Sequence, residues 1–143
     1  MLKGIDALIG PDLLHALAAM GHGDEIAIVD ANFPAAATAR RLIRIDGAGA
    51  PAVLSAVMSL LPLDTFTDTP AAVMAVVGDP DALPPTVREF QAILDGVASK
   101  PVRMARLERG AFYERARQAF AVVLTGERRL YGNVIVTKGV VTP

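Results

Sequence analysis

A histidine bracketed by glycines, Gly21-His22-Gly23, stands just before an apolar run, Ile26-Ala27-Ile28-Val29, that stops at Asp30. An imidazole on a flexible loop can give or take a proton near neutral pH, and a carboxylate at a strand end is where an α/β sheet presents ligand groups. Asp30 is costly after four apolar residues unless it is paired or solvated, although it could simply end the strand or cap a helix. His22 could likewise do no more than satisfy backbone groups in a glycine-rich turn. The other histidine, His15, falls on the polar side of an amphipathic helix and reads as a surface residue. Asp64 lies in the loop Pro62-Leu63-Asp64-Thr65, and Tyr113 and Tyr131 are the only tyrosines of a chain without tryptophan. Taken alone, these are an ordinary loop residue and two packing aromatics. The chain has no cysteine, which removes thiolate catalysis, disulfides and cysteine-based zinc sites together and suits a reducing cytosol.

Alternating helices and strands must position these groups. Pro11 opens a helical pattern with Leu13, Leu14, Leu17, Ala18 and Met20 on one side, and Gly21 takes the C′ place that ends it. After the strand to Asp30 come a turn-like Asn32-Phe33-Pro34, a stretch of small residues to Thr38, and a short strand of Leu42, Ile43 and Ile45 bounded by Gly47. Pro51 starts a second helix, with Val53, Leu54, Val57, Met58, Leu60 and Leu61 in helical spacing until Pro62 stops it. The valine-rich run Ala71 to Val77 reads as a buried strand turned by Gly78-Asp79-Pro80. Val87, Phe90, Ile93, Leu94 and Val97 make a helix that starts at Pro84-Pro85, and Val102 to Leu107 alternates as a strand. Phe112 to Phe120 is a short helix; Ala121 to Leu124 and Val134 to Val136 are final strands, close enough for a hairpin. This order predicts an α/β layered sheet.

A length of 143 residues fits one domain, residues 1–143, without linker or repeat. Hydrophobic residues make up 52% of the chain and mean hydropathy is +0.41, yet no apolar run approaches the roughly 20 residues that span a bilayer. A sheet covered on both faces, or surface buried between subunits, accounts for the excess, so homo-oligomerisation is expected and membrane insertion is not. A net charge of -1 offers no global field for polyanions. The basic cluster Arg40, Arg41 and Arg44 has no interleaved aromatics to stack bases, so nucleic acid is not an expected partner. The N-terminus lacks the apolar core and cleavage site of a secretory signal.

Several segments occur together and in order: Met20-Gly21-His22-Gly23-Asp24-Glu25-Ile26, Asp30-Ala31-Asn32-Phe33-Pro34, Leu63-Asp64, Arg109 with Phe112-Tyr113-Glu114-Arg115-Ala116, Thr125-Gly126-Glu127, Tyr131-Gly132-Asn133 and Lys138-Gly139-Val140. Nearly end to end, the chain resembles the RbsD/FucU family of sugar mutarotases, and within it the L-fucose branch. The resemblance implies a three-layer α/β/α fold with a mostly parallel, mixed central sheet. It implies that His22 is the catalytic acid, with Tyr113 in the catalytic set, that Asp30 and Asp64 hold sugar hydroxyls, and that Arg109, Tyr131, Gly132 and Asn133 line the sugar site. It also implies a cytoplasmic, ring-based homo-oligomer, often a decamer, with sites at subunit contacts to which the Tyr131–Asn133 segment of a neighbour contributes. The ribose branch tends to carry histidine where this chain has Arg109, and it lacks the Phe-Tyr-Glu-Arg segment. Gly110 departs from the fucose pattern, which usually places a bulky residue there.

Mutarotation suits such residues: a proton goes to the ring oxygen, another leaves the anomeric hydroxyl, and the transient open-chain aldehyde recloses on either face. No metal, cofactor or covalent intermediate is required. The competing readings are a D-ribose pyranase working by the same ring opening and a non-catalytic sugar-binding or transport-accessory protein. Against the latter stands His22, since binding alone does not need a group that titrates near neutrality.

Overall fold

A computed structural model describes residues 1–143. The elements in chain order are α1 (Pro11–Ala19), β1 (Glu25–Val29), α2 (Ala35–Thr38), β2 (Leu42–Ile45), α3 (Ala50–Met58), β3 (Ala71–Met74), α4 (Pro85–Val97), β4 (Met104–Leu107), α5 (Arg109–Gln118), β5 (Ala121–Thr125) and β6 (Val134–Thr137). The six strands form one sheet in the order β2-β5-β1-β6-β3-β4. Every neighbour pair is parallel except those made by β6, which runs against β1 and β3. The sheet is therefore mixed and mostly parallel, as the resemblance implied.

Two cores explain the apolar excess. The central strands β1, β3, β5 and β6 are buried on both faces, which is why they read as near-continuous hydrophobic runs. On one face Ile26 and Ile28 pack with Leu13 and Leu17 of α1, Val53, Leu54 and Val57 of α3, and Phe90 and Leu94 of α4. On the other, Ala27 and Val29 meet Ala35 of α2 and Phe112 and Ala116 of α5. The period-two alternation of β1 thus sends its branched isoleucines to the larger core and Ala27 and Val29 to the smaller. Edge strands β2 and β4 are only partly covered, and Arg44 and Arg106 on them discourage further pairing. No helix is long and apolar enough to cross a membrane.

The structure corrects two sequence expectations and qualifies a third. First, β5 and β6 are not a hairpin: they lie on opposite sides of β1, and residues 126–133 carry the chain across the strand end between them. Short spacing allowed a turn, but that segment is spent on the site described below. Second, Gly21 holds the C′ place expected of it, but without the left-handed conformation usual there. Met20 closes α1 in extended conformation with its N–H on Ala16 O, and the positive φ belongs to Gly23, at +88°. Third, the run from Ala71 leaves the sheet at Met74, and Val77 stands 71% exposed. The small-residue stretch before Thr38 also forms α2, a single turn whose brevity hid its period.

Candidate active site

Beyond the C-terminal ends of β1 and β3 lies a cavity of about 220 Å³ lined by Asp30, Asn32, Phe33, Met74, Val77, Arg109, Tyr113, Leu130, Tyr131 and Asn133. Asp30 is buried where β1 ends, and Asn133 sits immediately before β6, the antiparallel neighbour, so the two meet across the ladder. Asn133 Nδ2 donates to Asp30 Oδ2 at 3.0 Å, and the Asp30 N–H donates to Asn133 Oδ1 at 2.9 Å. The Asn32 N–H donates to Asp30 Oδ1 at 3.0 Å. Burial pushes the Asp30 carboxyl above its ordinary value, and the Asn32 amide, the Asn133 side chain and the Gly132 and Phe33 amides hold it back. The sequence cost of an acid after four apolar residues is met by this pairing.

Arg109 and Tyr113 occupy positions i and i+4 of α5 and so share a face. Arg109 Nε donates to the Tyr113 hydroxyl at 3.1 Å, and the tyrosine ring stands edge-on to Phe33 with centroids 5.1 Å apart. Because the guanidinium supplies a donor, the phenol keeps its own proton for another acceptor. Opposite, the Tyr131 hydroxyl accepts the Val77 N–H at 3.1 Å. Tyr131 is the one non-glycine residue with positive φ, +60°, a conformation that costs roughly 1–2 kcal/mol. Thr86, fully buried on α4, donates to the carbonyl oxygens of Leu130 and Tyr131 and helps hold the bend. Behind it, Gly132 packs so closely that a Cβ would stand 2.6 Å from Glu127 Cγ and 3.3 Å from Asp30 Cβ. Glu127 is itself buried and takes Arg129 on both oxygens, which lowers its carboxyl to about 2.

His22 and Asp64 lie at the other end of the sheet. His22 precedes β1 whereas Asp30 follows it, and five strand residues at about 3.3 Å each hold them well apart. The Asp24 N–H bonds Gly21 O and the Gly21 N–H bonds Asp24 Oδ2, closing a turn with His22 at its tip and Gly23 supplying the positive φ. His22 Nε2 faces Asp64 Oδ1 at 3.0 Å, and Asp64 is buried while the imidazole is 45% exposed. With Nε2–H directed to the carboxylate, Nδ1 remains the exchangeable site. The Phe66 N–H also reaches Asp64 Oδ1, at 3.3 Å, and its ring centroid lies 5.1 Å from that of His22. Asp64 is set by the close pass of two chains: a Cβ on Gly139 would stand 2.7 Å from Asp64 Cα. Lys138 donates to Leu17 O and Met20 O, satisfying the C-terminal end of α1 beside the histidine loop.

Five of the eight site residues expected from sequence therefore line one cavity (Asp30, Arg109, Tyr113, Tyr131 and Asn133), with Gly132 supporting it, while His22 and Asp64 form a separate pair. Asn133 reaches the Asp30 of its own chain, so Asp30 and the Tyr131–Asn133 segment form one half together. Sequence reasoning missed Met74, Val77 and Leu130, apolar residues that nothing in the pattern separated from core. Asn32 and Phe33 were seen only as a turn. Gly110 is exposed on α5 with nothing within 4 Å of a built Cβ, so its lack of a side chain disturbs no packing. No group of three or more histidine, cysteine or acidic side chains converges in a form that could hold a metal.

The chain is similar to known proteins over nearly its full length. The family model for the RbsD / FucU transport protein family matches residues 3–141. The fucose mutarotase of Homo sapiens is 50% identical over 145 residues, which cover 97% of this chain and 94% of that one. The fucose mutarotase of Streptococcus pneumoniae, solved in complex with L-fucose, superposes with a TM-score of 0.92 at 42% identity, across 99% of this chain and 100% of that one. Bacillus subtilis RbsD, complexed with D-ribose, shares the fold at a TM-score of 0.72 and 21% identity, across 99% of this chain and 100% of its own.

Proposed function

The chain belongs to the RbsD/FucU family, and from that premise we propose that it is an L-fucose mutarotase, an isomerase that interconverts the α and β anomers by acid/base ring opening. The observation that carries the reading is the cavity joining Asp30, Arg109, Tyr113, Tyr131 and Asn133. Relatives of 50% and 42% identity that are fucose mutarotases, one of them bound to L-fucose, supply the sugar.

Asp30 and Asn133 hold ring hydroxyls with the acceptor and donor capacity left by their mutual bonds. Tyr113 exchanges a proton with the sugar at one of the two reacting oxygens, and the Arg109 guanidinium offsets charge that grows on the phenol oxygen as its proton leaves. The anomeric hydroxyl loses its proton as the ring oxygen gains one, and the bond from C1 to the ring oxygen breaks. Rotation about C1–C2 presents the other aldehyde face, and the reverse transfers reclose the ring. Holding the second proton-transfer group is the part of His22, with Asp64 fixing its tautomer and orientation rather than binding sugar.

One chain cannot bring His22 to its own cavity, because β1 lies between them. We propose that His22 of a second copy completes the site. Exposed Phe66, Leu60 and Val141 around the His22 end, and Val77, Leu83 and Leu130 around the cavity, are the apolar surfaces such a head-to-tail contact would cover. Repeated heterologous contacts close into a ring, and paired rings give the decamer; the setting is the cytoplasm and the unit one mutarotase domain. The test is exchange between anomeric proton signals of L-fucose followed by saturation-difference NMR. Tyr113→Phe and His22→Ala should each slow enzyme-dependent exchange by about 10²–10⁴-fold while sugar binding persists. Unchanged exchange in both variants would overturn the mechanism, and wild type that binds L-fucose without accelerating exchange would support the accessory-protein reading instead.

A further inference from the structure

Glu25 and Arg115 line no part of the cavity, yet they form the only hydrogen-bonded link from a side chain of α5, the helix that carries Arg109 and Tyr113, to another element. Arg115 Nε donates to the two Glu25 oxygens at 3.1 and 3.0 Å, and Nη2 donates to Oε2. The Thr137 hydroxyl of β6 donates to the same Oε2 at 3.1 Å, and the Phe120 N–H donates to Glu25 O at 2.8 Å. Glu25 opens β1 and so takes hold of both the last turn of α5 and the link that follows it. The two side chains are largely buried, 20% exposed for Glu25 and 29% for Arg115. A forked, charge-assisted bond in such a place is strong and only weakly screened.

The packing of α5 calls for such a hold. Its buried residues are Phe112 and Ala116 alone, one turn apart, and Glu108 at its N-terminus makes no side-chain cap. A single buried line sets the depth of a helix on a sheet but not its roll about that line. At 3.6 residues per turn, Tyr113 and Arg115 stand on opposite flanks of the line, each about 80° from it, and both are half-buried. A roll that lifts Arg115 from Glu25 therefore carries Tyr113 the other way, towards the sheet. On the reading of this chain as a mutarotase, we infer that Arg115, clamped by Glu25, is a positioning residue: it sets the roll of α5 and so aims the Tyr113 hydroxyl at the reacting oxygen. It touches no sugar and moves no proton.

An Arg115→Met variant keeps the aliphatic stem and removes the clamp. Its kcat for anomeric exchange of L-fucose should fall about 10–10²-fold, the scale of a misplacement of about 1 Å. Its Kd for L-fucose should stay within about twofold of wild type, because Asp30 and Asn133 sit at the cavity ends of β1 and β6, which the clamp does not move. Arg115→Lys, which keeps the charge without the fork, should recover part of the rate, and Glu25→Gln should reproduce the loss in smaller measure. In a Tyr113→Phe background, with enzyme concentration raised to keep exchange measurable, Arg115→Met should cost nothing more, since the hydroxyl it aims is gone. The chain holds two tyrosines, so with ring-labelled tyrosine the Tyr113 NMR signal should move in Arg115→Met while that of Tyr131 stays. Should Arg115→Met fail to fold, Arg115→Lys and Glu25→Gln carry the same comparisons. Wild-type kcat in the clamp variants, or an equal loss with and without the Tyr113 hydroxyl, would overturn the positioning role and leave the mutarotase reading standing. Wild type that does not accelerate exchange would overturn that reading and the role with it.

Discussion

Two buried carboxylates, Asp30 and Glu127, pack against Gly132 yet respond to pH in opposite senses. Asp30 has its pKa raised from 3.8 by burial, so the folded state holds its proton more tightly than the unfolded chain. Its contribution to stability is greatest at low pH and declines as pH rises through 3.8 towards the folded value. Glu127 is lowered from 4.5 to about 2, chiefly by its bonds to Arg129. Its contribution is fully present above 4.5 and is lost as pH falls towards 2. Replacing Glu127 with Gln should therefore flatten the acid limb of stability between these values and cost about 1–3 kcal/mol at neutral pH, as lost charge-assisted bonds do. Urea unfolding from pH 2 to 7 reads both effects; an unchanged acid limb would sink the assignment. His22, singled out by its flanking glycines, does stand at the tip of a turn, but its partner Asp64 was legible only as a loop residue. Forty-two positions separate the two, and no local pattern encodes a contact of that range.

The strands and most helices followed from periodicity because their apolar faces are buried, as in β1, β5 and α4. Where elements cross, backbone fit decides instead. Gly139 passes against Leu63 and Asp64, where a Cβ would meet backbone atoms at 2.7 Å. Gly139→Ala should force those chains apart, costing about 1–3 kcal/mol and loosening the His22–Asp64 pair. Gly23→Ala meets nothing within 4 Å and strains only φ, at +88°, so its cost should be about 1–2 kcal/mol with Asp64 undisturbed. Thermal unfolding gives the stabilities, and the NMR signal of the His22 Nε2 proton held on Asp64 distinguishes the variants, since only Gly139→Ala should lose it. If the two behave alike, the close pass does not position Asp64.

At the scale of the molecule, catalysis and assembly are one question. A site built from the cavity of one copy and the histidine of another should be restored by mixing two inactive variants. When His22→Ala and Tyr113→Phe chains are dissociated together and reassembled, some contacts pair a wild-type cavity with a wild-type histidine, and mutarotation should return in part. Each variant reassembled alone should remain inactive. A mixture as inactive as its components, despite verified subunit exchange, would place both groups in a single-chain site. Phe66→Asp, which sets a charge in the proposed contact, should shift sedimentation towards smaller species.

The sequence alone determined the α/β layering, the places of nearly every strand, the family, and the identities of the polar residues Asp30, Arg109, Tyr113, Tyr131 and Asn133 that gather in the cavity. These are written in local signals: hydrophobic period, turn residues, and short segments whose joint order is specific. Tertiary structure decided that β6 inserts antiparallel between β1 and β3, which brings Asn133 to Asp30. It also decided that His22 and Asp64 pair at the far end and that Met74, Val77 and Leu130 face the cavity. Strand order and side-chain direction depend on contacts between residues distant in the chain, and a local pattern of apolar and polar residues is satisfied equally well by several arrangements of those contacts.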